Sequence, residues 1–270
     1  MTVADLLPLD DLEPVDLAAV LQAAELARRV DRKYLVPASD AAELVGALAP
    51  SHRVLQIGGR RSTTYRSTYL DTDDLRLCRD HLQGRRLRWK ARSRLYVEDR
   101  LCRFEVKVKG ARGETVKHVI ETDPESYGGY GERERGFVEG VVGSSLRTAH
   151  ADLKPVLEVG YSRATLVDLD GGTRLTVDHG VAGRPTGTGP VWRTGTVAFD
   201  HDRVIVETKG ESRPGPADRM LAELGHRPLS LSKYATAAAL LGEGVADNAV
   251  RWLVGRGVRL HDDLPARAAS

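Results

Sequence analysis

Cysteine is almost missing from the 270 residues: Cys78 and Cys102 form no CxxC pair and sit in no metal motif. That excludes a disulfide framework and suits a reducing cytoplasm. Aromatic residues make up only 5% of the chain, and its cations do not alternate with stacking rings, which argues against a single-stranded nucleic-acid surface. Charge of one sign is lacking too. With 40 Lys and Arg against 38 Asp and Glu the formal charge is +2, too little for general attraction to a nucleic-acid backbone. No apolar run suggests a membrane span, and the start MTVADLLPLDDLEP lacks the basic and apolar regions of a signal peptide. There is no GxxxxGK[ST], which excludes a P-loop kinase at motif level. His81, His118, His179 and His201 are scattered, without an HxxxH or HExxH context for zinc. The expectation is a soluble cytoplasmic protein with no nucleic-acid partner and no direct membrane span.

What the chain does have is patterned charge. From Arg86 to Arg94 it reads RLRWKARSR, with Arg86, Arg88, Lys90, Arg92 and Arg94 at every second position. In a β-strand that spacing sends all five cations to one face. FEVKVKG repeats the arrangement, with Glu105, Lys107 and Lys109 opposite in parity to Phe104, Val106 and Val108. Cations two apart on a strand lie about 6.7 Å from each other and repel by roughly 0.6 kcal/mol in water, or about 2.5 kcal/mol at an effective dielectric near 20. An open face tolerates that repulsion, whereas an enclosed one needs anions, from acidic side chains or from a ligand. The grammar recurs in Asp31 with Lys33, Lys117, Arg163, Arg174 with Asp178, and Glu207 with Lys209.

Around these rows the periodicity predicts an amphipathic helix over 14–30, a strand in DRKYLVP, and a helix capped by Ser39 and Asp40 and ended by Pro50. Strands follow at 52–57 and 62–70, then a short helix in LDTDDLRLCRDHLQG stopping at Gly84. Three strands at about 85–97, 101–109 and 115–122 come next, the last two joined by the turn GARGE. A helix over 133–148 precedes strands at 154–168, 172–179, roughly 191–200 and 203–209, and helices at about 216–224 and 232–242 lead into a less regular tail. This order predicts an α+β protein built on an antiparallel sheet. If the sheet curls into a barrel, its lumen is a charged tunnel. Trp89, Phe104, Val106, Val108, Leu175, Val177 and Ile205 with its neighbours would lie outside, under the helices.

RVDRKYLVP, STYLDTDDL, RLRWKARSRLY, FEVKVKGARGETVKH, PVLEVGYSR, TRLTVDHGV, VIVETKG and SLSKY, in that order, resemble the VTC domain of polyphosphate polymerases, a branch of the triphosphate tunnel metalloenzyme (CYTH-like) superfamily. The resemblance spans residues 28–242, leaving an N-terminal helical segment at 1–27 and a C-terminal tail at 243–270. It implies a β-barrel tunnel that binds a nucleoside triphosphate, ATP being the expected one, with Mn²⁺ or Mg²⁺ as cofactor. The γ-phosphoryl group would pass to a growing polyphosphate chain. By motif, the resemblance gives catalytic roles to Lys33, Arg86, Arg88, Lys107, Arg163 and Arg174. It gives substrate binding to Lys90, Arg92, Arg94, Lys109, Lys117, Lys209 and Lys233, with the register inside the arginine row open by two residues. Glu207 matches the metal-binding carboxylate, and Glu105, which has the parity to face the lumen, is the second candidate.

Other readings stand beside these. Glu207 could serve only as a salt-bridge partner of Lys209 or a facing arginine. Glu158, one residue off the parity of Tyr161 and Arg163, is expected to point outward. Asp71 and Asp73 read as helix caps, and Tyr34 and Tyr234 as packing residues. The segment aligned with the ExExK strand of the hydrolase branches is RVDRKYL, without paired glutamates. This favours a polymerase over a tunnel triphosphatase; a non-catalytic polyphosphate binder is the third reading. The domain would act either free-standing or with a separate membrane partner.

Overall fold

The computed structural model describes residues 1–25, 30–110, 115–146, 152–187, 190, 192–193 and 195–261. In chain order the described residues form β1 (Glu13–Val15), α1 (Leu17–Glu25), β2 (Val30–Pro37), α2 (Ala38–Leu48), β3 (Arg53–Leu55), β4 (Thr63–Asp71), α3 (Arg76–Leu82), β5 (Arg88–Tyr96) and β6 (Leu101–Lys109). There follow β7 (Thr115–Thr122), α4 (Glu132–Leu146), β8 (Lys154–Asp168), β9 (Thr173–Pro185), β10 (Thr196–Phe199), β11 (Arg203–Gly210), α5 (Pro216–Glu223), α6 (Lys233–Leu241), α7 (Asn248–Arg251) and β12 (Val258–His261). The protein is α+β, with a twelve-stranded sheet in which β4–β5–β6–β7, β2–β11–β9, β9–β10 and β3–β8 pair antiparallel and β1 pairs parallel with β3.

Two compact units emerge. The first comprises residues 1–64, 161–181 and 199–231, the second 65–160, 182–198 and 232–270, so the long strands β8 and β9 contribute to both. In the first unit β11 pairs with β2 on one side and β9 on the other. Alternation sends Tyr34 and Val36 of β2, Leu175 and Val177 of β9, and Val204 and Val206 of β11 into one core. Helix α2 meets them with Ala41, Leu44, Val45 and Leu48, the spacing of a single helical face, and α5 adds Ala217 and Leu221. Val3, Leu7, Leu9 and Leu12 of the N-terminal segment complete the same core.

The second unit is a meander, β4–β5–β6–β7. Its apolar face carries Leu70, Trp89, Ala91, Phe104, Val106 and Val108, covered by Val138, Val141, Val142 and Leu146 of α4. Helix α6 meets the other face, where Tyr234 stacks on Tyr69 with ring centroids 4.6 Å apart and planes 14° from parallel.

Several expectations need correction. The first helix starts at Leu17, not Pro14, because Asp16 Oδ1 accepts from Ala19 N at 2.8 Å and caps it there, leaving Glu13–Val15 free to pair with β3. Ser39 and Asp40 lie inside the first turn of α2; Asp40 instead meets His226 Nε2 at 2.7 Å. Strand β9 runs six residues past the predicted 179, to Pro185, because its later half pairs with β10. Ile205 lies opposite Asp178 and so shares the parity of Glu207, and the outer apolar positions of β11 are Val204 and Val206. The last residues of the predicted helices over 14–30 and 133–148, the GARGE turn at 111–114, parts of 191–200 and the end of the tail lie outside the described residues.

Candidate functional site

In the first unit the register places Lys33, Glu207 and Thr176 side by side across β2, β11 and β9. Glu207, 7% exposed, is ringed by cations: Lys209 Nζ at 3.0 Å and Lys33 Nζ at 3.8 Å from Oε1, Arg163 Nη2 at 3.9 Å from Oε2. Arg163 forks onto the fully buried Asp178, at 2.5 and 2.7 Å, and lies over the Tyr161 ring at 5.3 Å. A bidentate, ring-backed guanidinium is held in one orientation. Lys209 also faces Asp31 at 3.7 Å. Burial pushes the Lys209 ammonium below its ordinary value despite the pull of Glu207 and Asp31. Arg174, on the same face by its pairing with Lys209, lines with it a cavity of about 380 Å³ at that end of the sheet.

In the second unit the pairings put Arg88 opposite Lys109, Lys90 opposite Lys107, Arg92 opposite Glu105, Arg94 opposite Arg103 and Lys107 opposite Lys117. The face of β5–β7 therefore carries eight cations, counting Arg103, and two carboxylates, Glu105 and Glu121. Glu105, 2% exposed, accepts from Arg92 Nε at 2.6 Å and from Lys117 Nζ at 3.2 Å. Burial alone would raise its pKa, but Arg92, Arg94 and Lys117 reverse that and hold the carboxyl far below the usual range. Arg92 also donates to Tyr69 Oη at 2.9 Å, and buried Arg94 to Ser67 Oγ at 3.0 Å. Lys90 donates to Ser232 Oγ, the N-cap of α6, at 2.8 Å, beside Lys233 in the first turn.

Of the predicted residues, Lys33, Arg163, Arg174, Glu207 and Lys209 share the first unit's charged face. Arg88, Lys90, Arg92, Arg94, Glu105, Lys107, Lys109 and Lys117 share the second's, with Lys233 at the start of α6. Arg86 does not join them: β5 begins at Arg88, so Arg86 precedes the strand, its parity has no meaning there, and it is exposed. The pairing also settles which residues of the self-similar row oppose which partners. Glu158 lies on the other side, as expected, bound by Arg66 at 2.7 Å, Arg184 at 2.8 Å and Tyr127 at 3.0 Å. Asp71 is a cap, accepting from Leu77 N and Cys78 N in the first turn of α3, whereas Asp73 pairs with Lys154 at 2.7 Å.

Asp178, which grips Arg163, and Tyr69, which meets Arg92, did not stand out as site residues in the sequence. Parity with Arg174 pointed toward the first; the second needed the β4–β5 register.

Among the described residues no group of three or more His, Cys, Asp or Glu could hold a metal ion alone. A hard divalent cation that keeps waters and takes one or two carboxylates plus substrate phosphates needs no such group. Glu207, a buried carboxylate beside Lys33, Lys209 and Arg163, fits that donor set. Glu105 fits it less well, because both its oxygens already accept charge-assisted hydrogen bonds.

Antiparallel strands here array cations on one face and bury single carboxylates among them, an arrangement whose charge and geometry suit phosphate-like anions. Residues 28–242 match the VTC domain, and the chain belongs to the VTC domain family. No curated protein matches the sequence. Similar solved structures include a candidate adenylate cyclase from Bacillus halodurans, 16% identical, covering 73% of this chain and 87% of that one at a TM-score of 0.42. Another is a candidate adenylyl cyclase from Hippeastrum with a dominant triphosphatase activity, 18% identical, covering 77% and 94% at a TM-score of 0.43.

Proposed function

We propose that this protein is a polyphosphate polymerase, transferring the γ-phosphoryl group of a nucleoside triphosphate, ATP in the first instance, to a growing polyphosphate chain. Phosphate-binding cations and Mn²⁺ or Mg²⁺ would support the transfer. The tunnel implied by the family resemblance is part of the proposal. The observation that carries it is the excess of cations on β5–β7, eight against two carboxylates, a face whose charge suits a polyanionic ligand.

Phosphoryl transfer asks for positioning and neutralisation of charge more than for covalent chemistry, and a polyphosphate terminus is already an anionic nucleophile. No general base is required. Arg163, oriented by Asp178, would present its guanidinium to phosphate oxygens. Lys33 and Lys209 would act as point charges beside Glu207. Glu207 is the residue that would hold a bound divalent ion, whose chemistry is to neutralise developing charge on the phosphoryl oxygens. Lys90, Arg92, Lys107 and Lys117 would bind phosphates along the second face. The missing ExExK pair supports polymerisation over hydrolysis.

Incubating pure protein with ATP and Mn²⁺, and resolving products by gel and by phosphate release, tests the reading. Long-chain polyphosphate is expected, with loss of activity in Lys107→Ala, Arg163→Ala and Glu207→Ala. Phosphate release without polymer would identify a triphosphatase, and tight metal-independent binding without turnover a polyanion binder. Failure to bind any triphosphate would remove the assignment.

A further inference from the structure

Asp71 is fully buried and does more than cap a helix. Its carboxylate accepts from Thr72 N at 2.8 Å, from Leu77 N at 2.8 Å and Cys78 N at 2.9 Å in α3, and from Tyr234 Oη at 2.5 Å in α6. One side chain thus ties the end of β4 to the starts of two helices. Tyr234 follows Lys233 directly, and Lys233 follows Ser232, which receives the Lys90 ammonium. The Tyr234 ring stacks on Tyr69, whose hydroxyl receives Arg92. Burial and the nearby Asp71 charge keep the Tyr234 hydroxyl protonated, so it stays a donor.

We propose that Asp71 and Tyr234 are positioning residues for phosphate binding, fixing the first turn of α6 so that Lys233 and the Ser232–Lys90 contact stand at the charged face of β5. This rests on the reading of that face as a phosphate-binding surface. Neither residue need touch the ligand. Tyr234 has its hydroxyl turned to Asp71 and its ring against Tyr69, so its role passes through the backbone of residues 232–233. An unanchored helix start leaves two ammonium groups mobile, and binding must then supply the ordering entropy.

The test is calorimetric binding of inorganic tripolyphosphate to the full chain, with melting temperatures measured alongside. Because Asp71→Asn disturbs three backbone bonds and could fail to fold, Tyr234→Phe is the decisive variant; it removes one hydroxyl and keeps the stacked ring. Tyr234→Phe is expected to weaken binding roughly three- to tenfold well below its melting temperature. The loss should shrink to less than half in a background carrying Ser232→Ala and Lys233→Ala. Tyr127→Phe, which removes a hydroxyl bond to Glu158 on the opposite face, should leave affinity unchanged while lowering stability comparably. If wild type binds and Tyr234→Phe binds equally well, or loses as much in the Ser232/Lys233 background, the proposal is overturned. Wild type that does not bind tripolyphosphate overturns the reading of the face, and the proposal with it.

Discussion

Glu105 is the residue on which the charge balance of the second unit turns. Nearly all its surface is buried, yet three cations keep it ionised. Its folded pKa lies below its unfolded value, so the stability it contributes is present at neutral pH and fades as pH falls below about 4 toward the folded value. Glu105→Gln should cost about 1–3 kcal/mol at pH 7, discounted because Arg92 and Lys117 remain partly exposed. Urea midpoints of mutant and wild type, well apart at pH 7, should begin to converge only as pH falls below about 4. A constant gap would show that lost packing, not lost charge, is responsible. The same scale explains why Arg86 misled: the alternation RLRWKARSR continues one step beyond the strand that gives it meaning.

At the scale of elements, alternation gave the faces of β5 and β6 from the sequence alone and placed Glu207 and Lys209 of β11 together, while Ile205 of that strand fell on the other face from the one expected. What the chain did not reveal was where elements approach most closely. Gly183 of β9 is such a place, since a Cβ there would come 2.7 Å from Ala237 Cβ in α6. The contact is to a methyl group that cannot swing away. Gly183→Ala should therefore destabilise the protein by about 1–3 kcal/mol, measured by thermal or urea unfolding. Gly136→Ala in α4, where nothing lies within 4 Å of the added carbon, serves as control and should be neutral or slightly stabilising. Equal effects would show that strand propensity rather than the α6 contact governs position 183. The start of α1 was misread for a related reason: Asp16 caps the helix, and only the pairing of Glu13–Val15 with β3 shows that the chain before it is extended.

Across the whole molecule, a formal charge of +2 conceals a strongly sorted distribution. Sequence totals cannot show sorting, because acids and bases cancel in the sum whichever face they occupy. If the cationic faces serve polyanions, tripolyphosphate affinity should fall at least tenfold between about 50 and 500 mM NaCl, since screening shortens from roughly 14 to 4 Å. The fall should be shallower in Lys107→Ala and Lys117→Ala. Salt-independent binding would indicate a site that recognises something other than phosphate charge. Pairwise neighbours of this kind, Arg163 with Asp178 and Arg92 with Tyr69, were the least legible part of the site, because each joins residues on different strands whose register no local pattern states.

The order of side chains along the chain settled the antiparallel α+β class, the alternation of charged and apolar faces, and the membership of Lys33, Lys107, Arg163 and Glu207 in them, because the two-residue repeat of a strand is a local property. Tertiary pairing alone decided that Glu207 stands among three cations, that Arg163 is held by a buried carboxylate, and that Asp71 reaches Tyr234. Apart from Lys209 beside Glu207 on one strand, those contacts join residues from 15 to 174 positions apart by number in the chain, and their geometry exists only once the sheet register and helix packing have formed.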